Sequence, residues 1–229
     1  TMINARIASH DDDVMLITNS GRAIRFPATD VRVFNSRASV GVRGIRLNGD
    51  DTVVSMSIIR HFDATSEERT AYLKMRRAMA GIADDADAEE DEAPADPNFS
   101  NERYVEMSAA ENLILTISSQ GSGKLSSSHD YPVRGRGGMG VTAMDKAMRG
   151  GEIVASFPVE MDDQIMLATS KGQSIRVPVE GISFRSRSAG GVKVFNTGKN
   201  EVVVSVAWIA EQTDDDAADG EDAGEASAE

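Results

Sequence analysis

The sequence contains no cysteine, no long apolar run and few aromatic residues, which make up 5% of the chain. Without cysteine, disulfides, thiolate metal sites and cysteine nucleophiles are excluded, and a reducing compartment is favoured. No stretch approaches the ~20 consecutive apolar residues that cross a bilayer, and the first residues lack the apolar core of a signal peptide. We therefore expect a soluble, intracellular protein without a membrane partner.

Basic residues are unevenly distributed in a chain whose formal net charge is −13. Residues 211–229 contain nine acidic and no basic residues, and residues 61–107 contain thirteen acidic against five basic residues. The other segments are mildly basic: residues 14–60 hold seven Arg against three Asp, residues 108–158 five basic against four acidic, and residues 161–210 six against four. This asymmetry indicates a polyanionic partner for the basic segments.

One pattern of residues occurs three times in the chain. VMLITNSGRAIRFPATDVRVFNSRASVGVRGIRLNGDDTVVSM (14–56) aligns with residues 112–157 and 164–206. In each unit a basic residue is followed after 11 or 12 positions by an arginine, and Gly-Val comes four residues later. These positions are Arg25, Arg37 and Gly41-Val42 in the first unit, Lys124, Arg136 and Gly140-Val141 in the second, and Arg176, Arg187 and Gly191-Val192 in the third. The repetition predicts three copies of one supersecondary unit.

Within a unit, short runs such as VRVF (31–34) are separated by Gly, Asn, Asp and Pro, and several are rich in β-branched residues. Four such runs in about 50 residues are typical of a propeller blade. We therefore predict an all-β fold of propeller-like blades with about four strands each. Gly41, Gly140 and Gly191 are expected to mark bends or positive φ angles, and Trp208 is expected to complete the core.

An insertion of nearly one period separates the first two units. Residues 65–82 are predicted to form a helix, because Thr65 and Glu68 have the spacing of a capping box. Residues 84–97 are typical of a disordered acidic linker, and residues 99–111 are expected to contain a second short helix. The predicted organisation is a first blade unit at 1–60, the insertion at 61–107, further blade units at 108–160 and 161–210, and a disordered acidic tail at 211–229.

Because alternate side chains of a strand face opposite sides of a sheet, we expect Ile24, Val42 and Ile45 to be buried and Arg25 to be exposed. Equivalent basic residues in successive blades would then form a track along the perimeter. Arg and Lys with few aromatics suit the phosphate backbone of duplex DNA. The candidate DNA-binding residues are Arg22, Arg25, Arg37, Arg43, Arg46, Lys124, Arg134, Arg136, Lys171, Arg176, Arg185, Arg187 and Lys193. The alternative is a protein-interaction platform whose surface arginines only solvate its rim.

The repeated SGRAIRF and GVRGIRL motifs, the RGRGGMG variant and the acidic C terminus resemble the C-terminal DNA-wrapping domain of the DNA gyrase A subunit. The related domain of topoisomerase IV is the alternative. The resemblance implies a β-pinwheel, which is a propeller-like ring whose blades exchange strands and whose positive perimeter wraps double-stranded DNA. In the whole enzyme, wrapping supports ATP-dependent negative supercoiling. The chain corresponds to the later part of that domain.

The resemblance also implies what this chain does not contain. In the family, the DNA-cleaving tyrosine lies in an upstream domain, whereas the gyrase B protein holds the ATP site. ATP and Mg²⁺ therefore belong to the whole enzyme, and no cofactor is expected here. The expected partners are double-stranded DNA, the gyrase B subunit, and the remainder of the gyrase A subunit, in the bacterial cytoplasm at the nucleoid.

The family's diagnostic box, Gln-Arg-Arg-Gly-Gly-Lys-Gly, has no intact copy in this chain. RGRGGMG (134–140) matches it at Arg136, Gly137, Gly138 and Gly140, but it has Arg, Gly and Met in place of Gln, Arg and Lys. The segment is box-like and lacks one of the family's cations.

Two segments resemble nucleotide-binding motifs but do not meet all of their requirements. GRGGMG (135–140) fits G-x-G-x-x-G without a preceding buried strand, and SSQGSGKLS (118–126) lacks the first Gly and the final Ser or Thr of a phosphate loop. The three histidines have no companions at ligand spacing, and the tyrosines are expected to pack. The basic residues of the inserted helix are interpreted as a solvated face, with a DNA- or partner-binding helix as the alternative; they are Lys74, Arg76 and Arg77.

Overall fold

Each unit begins with a β-hairpin that is closed by the same glycine turn. The computed structural model describes residues 4–81, 93–146 and 150–209. The third loop residue of each hairpin is a glycine with positive φ: Gly21 (82°), Gly121 (76°) and Gly172 (82°). The amide of this glycine donates to the carbonyl of the last residue of the preceding strand, for example Thr18. A residue without a Cβ adopts the positive φ of this position without strain.

The all-β prediction is confirmed, with two helices in the insertion. The first unit contains β1 (Asp12–Thr18), β2 (Arg22–Pro27) and β3 (Val53–Arg60). The second contains β4 (Leu113–Ser118), β5 (Ser122–Ser127), β6 (Val141–Thr142) and β7 (Ile153–Val159). The third contains β8 (Gln164–Thr169), β9 (Ser174–Pro178), β10 (Val192–Lys193) and β11 (Val203–Ile209). A short 3₁₀ turn follows the second strand of each unit, at Ala28–Asp30, Ser128–Asp130 and Val179–Gly181.

The segment after each 3₁₀ turn, here called a strap, comprises residues 31–47, 131–146 or 182–196. The second strap crosses to the first sheet, where β6 pairs antiparallel with β2. The third strap crosses in the same way to the second sheet, where β10 pairs with β5. The sheet orders are therefore β3-β1-β2-β6, β7-β4-β5-β10 and β11-β8-β9. Neighbouring blades thus exchange strands, and each of these two straps forms the outer edge of the preceding blade.

The middle blade is apolar on both faces because it packs between two others. On β4, Ile114 contacts the core shared with the first unit, whereas Leu115 and Ile117 contact the core shared with the third. This two-sided burial explains why the first strands of the units are nearly continuous apolar runs instead of alternating patterns. At the opposite edge from the straps, β7 contacts both β3 and β11. The straps consequently define the perimeter.

The insertion forms a small helical layer against the second unit. Helix α1 (Ser66–Met79) begins at a capping box between Thr65 and Glu68, as the spacing predicts, and α2 spans Asn101–Ala109. Tyr72 of α1 lies 5.0 Å, ring to ring, from His129 in the second 3₁₀ turn. The His129 Nε2 also lies 2.8 Å from the Met107 carbonyl oxygen of α2. Both helices therefore contact the same turn.

Three expectations about these elements are wrong. The runs of the first strap, VRVF among them, form no strand, and the strap pairs with no sheet among the described residues. The third sheet has three strands rather than four among the described residues. Trp208 is 54% exposed and therefore does not complete the core.

Most of the predicted acidic linker and all of the predicted acidic tail lie outside the described residues. Within the described ranges, no helix is both long and apolar enough to cross a membrane.

Candidate nucleic-acid interface

The expectation that Lys124 lies on the surface is wrong. Its side chain is 0% exposed. The ammonium Nζ donates to the carbonyl oxygens of Ser186 at 2.8 Å, Ala189 at 2.7 Å and also Arg187. These three carbonyls belong to the third strap, which covers β5. Lys124 therefore fixes this strap to the second blade and cannot contact DNA.

Arg25, the equivalent residue of the first unit, is also buried, contrary to expectation, at 3% exposure. Its Nε donates to Asp13 Oδ2 at 2.7 Å, and its Nη1 donates to the Ser128 carbonyl at 2.8 Å. Burial lowers the pKa of Arg25, and the charge of Asp13 opposes that change. The second unit provides the cover, because its 3₁₀ turn and strap lie across β2.

Asp13 has a second partner, His61, on its other carboxylate oxygen. His61 Nδ1 lies 2.8 Å from Asp13 Oδ1, and His61 Nε2 lies 3.1 Å from Asp63 Oδ1. Burial opposes protonation of His61, but the hydrogen bonds to the two carboxylates outweigh it and raise the pKa of His61. These contacts tie β1 to the segment that follows β3.

The second repeated arginine links successive units through backbone carbonyls. Arg187, 8% exposed, donates from its backbone amide to Asp130 Oδ2 at 2.6 Å and from its Nε to the Asp130 carbonyl at 2.9 Å. Its burial contradicts the expected surface position. Arg136 has the equivalent role one unit earlier but is exposed, with Nε 2.9 Å from the Asp30 carbonyl oxygen and Nη1 3.1 Å from that of Arg43.

The box-like segment joins the first and second straps side by side. The Gly137 amide donates to the Gly44 carbonyl at 2.5 Å, and the Arg46 amide donates to the Gly138 carbonyl at 2.8 Å. Gly140 has a φ of 71°, and a Cβ on it would lie 2.3 Å from the Ala23 carbonyl oxygen. Gly140 thus allows the backbone of the second strap to approach β2 of the first unit closely.

This pairing brings four exposed arginines together, here called the strap patch: Arg43 and Arg46 of the first strap, and Arg134 and Arg136 of the second. The predictions that Ile45 is buried between exposed Arg43 and Arg46, and that Ile24 is buried, are confirmed. Val42 is half-buried. The strap patch thus brings four candidate DNA contacts from two units onto the same part of the surface.

The remaining predicted residues lie on other parts of the perimeter. Arg22, Arg37 and Arg176 are exposed, and Arg185 is half-buried. Two exposed lysines contact hairpin or loop carbonyls: Lys193 Nζ lies 2.9 Å from the Gln120 oxygen, and Lys171 Nζ lies 2.5 Å from the Lys199 oxygen. These residues extend the positive surface beyond the strap patch.

The part of the chain that the structure describes offers no metal site. It contains no group of three or more His, Asp or Glu side chains that could hold a metal ion. Tyr72 and Tyr131 are buried as packing residues, as expected, and burial raises the pKa of both phenols. The charged side chains of the candidate interface are therefore mainly cations, which suits binding of an anion.

Comparison with known proteins settles the family. A family model described as the DNA gyrase C-terminal domain, beta-propeller, matches residues 12–60, 112–160 and 163–207. The chain belongs to the DNA gyrase C-terminal domain family. The family's fold agrees with the three strand-exchanging sheets.

Two relatives show how much of a full-length protein is present. The DNA gyrase A subunit of Granulibacter bethesdensis is 43% identical over an alignment of 223 positions, which covers 92% of this chain and 24% of that protein. The DNA gyrase A subunit of Rickettsia bellii is 39% identical over 221 residues, or 96% of this chain and 24% of that protein. The chain thus spans about a quarter of the length of these relatives.

A solved structure supports the fold. The C-terminal domain of DNA topoisomerase IV superposes with a TM-score of 0.60 at 19% identity, over 87% of this chain and 47% of that one. At this identity the likeness concerns the arrangement of the strands alone.

Proposed function

We propose that this chain binds and wraps double-stranded DNA on the exposed cations of its perimeter, as a C-terminal part of a DNA gyrase A subunit. The observation that supports this most is the division among the repeated cations. Arg25, Lys124 and Arg187 are satisfied by internal partners, whereas the strap patch presents four arginines to solvent without a salt bridge to a carboxylate among the described residues. Exposed arginines of this kind bind phosphates.

The proposed DNA contacts are therefore a subset of the sequence-based candidates. We retain Arg22, Arg37, Arg43, Arg46, Arg134, Arg136, Lys171, Arg176, Arg185 and Lys193. Straps that lie along the outer edges of successive blades give a curved, cationic surface with little means of reading base edges. Affinity should then depend on charge and on how easily the DNA bends, and only weakly on sequence.

The activity of the whole protein is proposed on the same basis. A gyrase uses ATP and Mg²⁺ to introduce negative supercoils, and this chain would contribute wrapping without a catalytic residue of its own. Its partners would be the B subunit, together with the remainder of the A subunit, in the bacterial cytoplasm at the nucleoid. The working division is blade units at 1–60, 108–160 and 161–210, an insertion at 61–107 and a tail at 211–229.

A salt titration and a topology assay test this function together. Binding to a duplex fragment should weaken steeply with salt, with a log–log slope of about −0.9 per phosphate neutralised, and two unrelated sequences should give similar affinities. Closing a nicked plasmid with DNA ligase in the presence of the chain should change its linking number, because wrapped DNA is trapped. Absent or salt-insensitive binding would contradict the proposal and favour a protein-interaction platform.

A further inference from the structure

A small cationic cavity separates the helical insertion from the second strap. It has a volume of about 190 Å³, and its walls include Ser66, Arg69 and Thr70 of α1 together with Asp130 and Arg134 of the second unit. At roughly 30 Å³ per water molecule, this space holds about six waters. It is large enough for a phosphate group that keeps part of its hydration.

The cavity carries more positive than negative charge. Arg187 also lines it, but its guanidinium is already bound to Asp130: the Nε donates to the Asp130 carbonyl at 2.9 Å and lies 3.7 Å from Asp130 Oδ1. Arg69 and Arg134 form no salt bridge with a carboxylate in the described ranges; the Nη2 of Arg69 makes one long hydrogen bond of 3.4 Å to Ser66 Oγ on its own helix. Two guanidinium groups therefore remain to bind an anion.

The electrostatics of Arg69 agree with this geometry. Arg69 is half-buried, and burial lowers its pKa; the positive charges of Arg25 and Arg134 lower it further, against the opposing charges of Asp130 and Glu67. Each of the two cationic neighbours changes the pKa of Arg69 more than either carboxylate does. An anion in the cavity would relieve the repulsion among these cations, so this position favours a bound negative group.

The position of the cavity beside the strap patch identifies the anion as a DNA phosphate. Arg134 belongs both to the cavity wall and to the strap patch, so the cavity opens onto the surface proposed to bind DNA. We propose that Arg69 and Arg134 together hold one backbone phosphate of duplex DNA as it passes the second strap. The inserted helix would then be part of the DNA-binding perimeter and not only a solvated appendage. This inference rests on the proposed function.

Among the other basic residues of α1, Arg76 and Arg77 do not offer the same contact. Arg76 Nε lies 3.3 Å from Glu111 Oε2, and Arg77 is buried, with its Nε donating to the Leu73 carbonyl. Lys74 is exposed on the same helix but does not line the cavity. It is the matched control, because Arg69→Gln and Lys74→Gln remove the same charge from the same helix.

Fluorescence anisotropy with a duplex fragment, from 50 to 200 mM salt, tests the assignment. Arg69→Gln should weaken binding about tenfold at the lower salt and reduce the magnitude of the log–log slope by about 0.9, which is one phosphate contact. Lys74→Gln should stay within about twofold. Arg69→Gln combined with Arg134→Gln should lose less than the product of the two single effects, since both residues bind one phosphate.

Arginine footprinting of the wild-type chain with a dicarbonyl reagent avoids any folding defect of the variants. DNA should protect Arg69 and Arg134 from modification, and millimolar inorganic phosphate should not. Equal DNA binding by Arg69→Gln and Lys74→Gln, or protection of Arg69 by inorganic phosphate but not by DNA, would overturn the inference while wild-type DNA binding persists. Loss of wild-type DNA binding itself would instead refute the proposed function.

Discussion

Lys124 and Arg176 occupy the same place in two units and have opposite environments. Lys124 lies opposite Thr116 in the β4–β5 hairpin, and Arg176 lies opposite Met166 in the β8–β9 hairpin. Lys124 is covered by the third strap, whereas no described strap covers β9, so Arg176 is exposed. The comparison teaches that the role of a repeated cation is set by the neighbouring unit and not by its own hairpin.

The largest expected effect is a loss of stability when the buried residue of this pair, Lys124, is replaced. Lys124→Met should lower the free energy of unfolding by about 3 kcal/mol or more, because it leaves three carbonyls of the third strap without their charged donor. Arg176→Met should change it by at most about 0.5 kcal/mol, as is usual for an exposed side chain. Urea denaturation of both variants measures the difference, and equal effects would show that the burial of Lys124 is not structural.

The glycine before the repeated valine provides a second comparison between covered and uncovered straps. Gly41, Gly140 and Gly191 have φ angles of 85°, 71° and 80°, as the sequence predicts. A Cβ at Gly191 would lie 2.7 Å from the Gly123 carbonyl oxygen, whereas a Cβ at Gly41 would have no atom within 4 Å.

Gly41→Ala should therefore lower the free energy of unfolding by only about 1 kcal/mol, because alanine is strained in the left-handed backbone conformation. Gly140→Ala and Gly191→Ala should cost more, roughly 2–3 kcal/mol, since each must also displace the backbone of the preceding blade. Thermal denaturation of the three variants gives the ranking. A Gly41→Ala variant as unstable as the other two would contradict the exchange of strands.

The three 3₁₀ turns differ in burial, and this difference predicts how the stability depends on pH. His129 is buried under the insertion, whereas Thr29 and Glu180, at the equivalent positions, are exposed. Burial lowers the pKa of His129 below its ordinary value of 6.5. The folded protein therefore disfavours protonation of His129 relative to the unfolded chain. The resulting stability is complete above the unfolded-state pKa of about 6.5 and is lost as the pH falls below that value.

The melting temperature of His129→Gln should accordingly fall less than that of the wild type when the pH is lowered from 7.5 to 5.5. His61 has a raised pKa and acts in the opposite direction, so the comparison is made between the variant and the wild type at each pH. An identical acid response in the two proteins would show that His129 is not kept neutral by the docked helices.

The smallest expected effect concerns the second repeated arginine. Arg136→Gln removes two hydrogen bonds to carbonyls of the first unit from an exposed side chain and should cost about 1 kcal/mol. Arg37→Gln, at the equivalent position of the exposed first strap, should change stability by less than about 0.5 kcal/mol. Paired melting curves resolve the difference, and a larger loss for Arg37→Gln would contradict the strap-linking role of Arg136.

The parts of the fold that depend on local sequence are those that the sequence predicts well. The positive-φ glycines, the capping box at Thr65 and the buried Ile24 and Ile45 each follow from residues close to them in the chain. Arg25 and Lys124 could not be placed in this way, because strands from the next unit cover them.

One signal for this burial is present in the sequence but is weak. An acidic residue lies two or three positions after the second strand of every unit, at Asp30, Asp130 and Glu180. In the structure, the backbone at the first two of these positions accepts from the repeated arginine of the next strap. Spacing alone does not distinguish such a partner from a solvated turn, so the link between units became visible only with the fold.

The most direct test of the account is the salt dependence of DNA binding after the whole strap patch is neutralised. With Arg43, Arg46, Arg134 and Arg136 all changed to Gln, the magnitude of the log–log slope should fall by up to about 3.6, at about 0.9 per lost phosphate contact, equally for unrelated DNA sequences. The chain should remain folded. An unchanged slope in this folded variant would contradict the claim that the straps bind the DNA backbone.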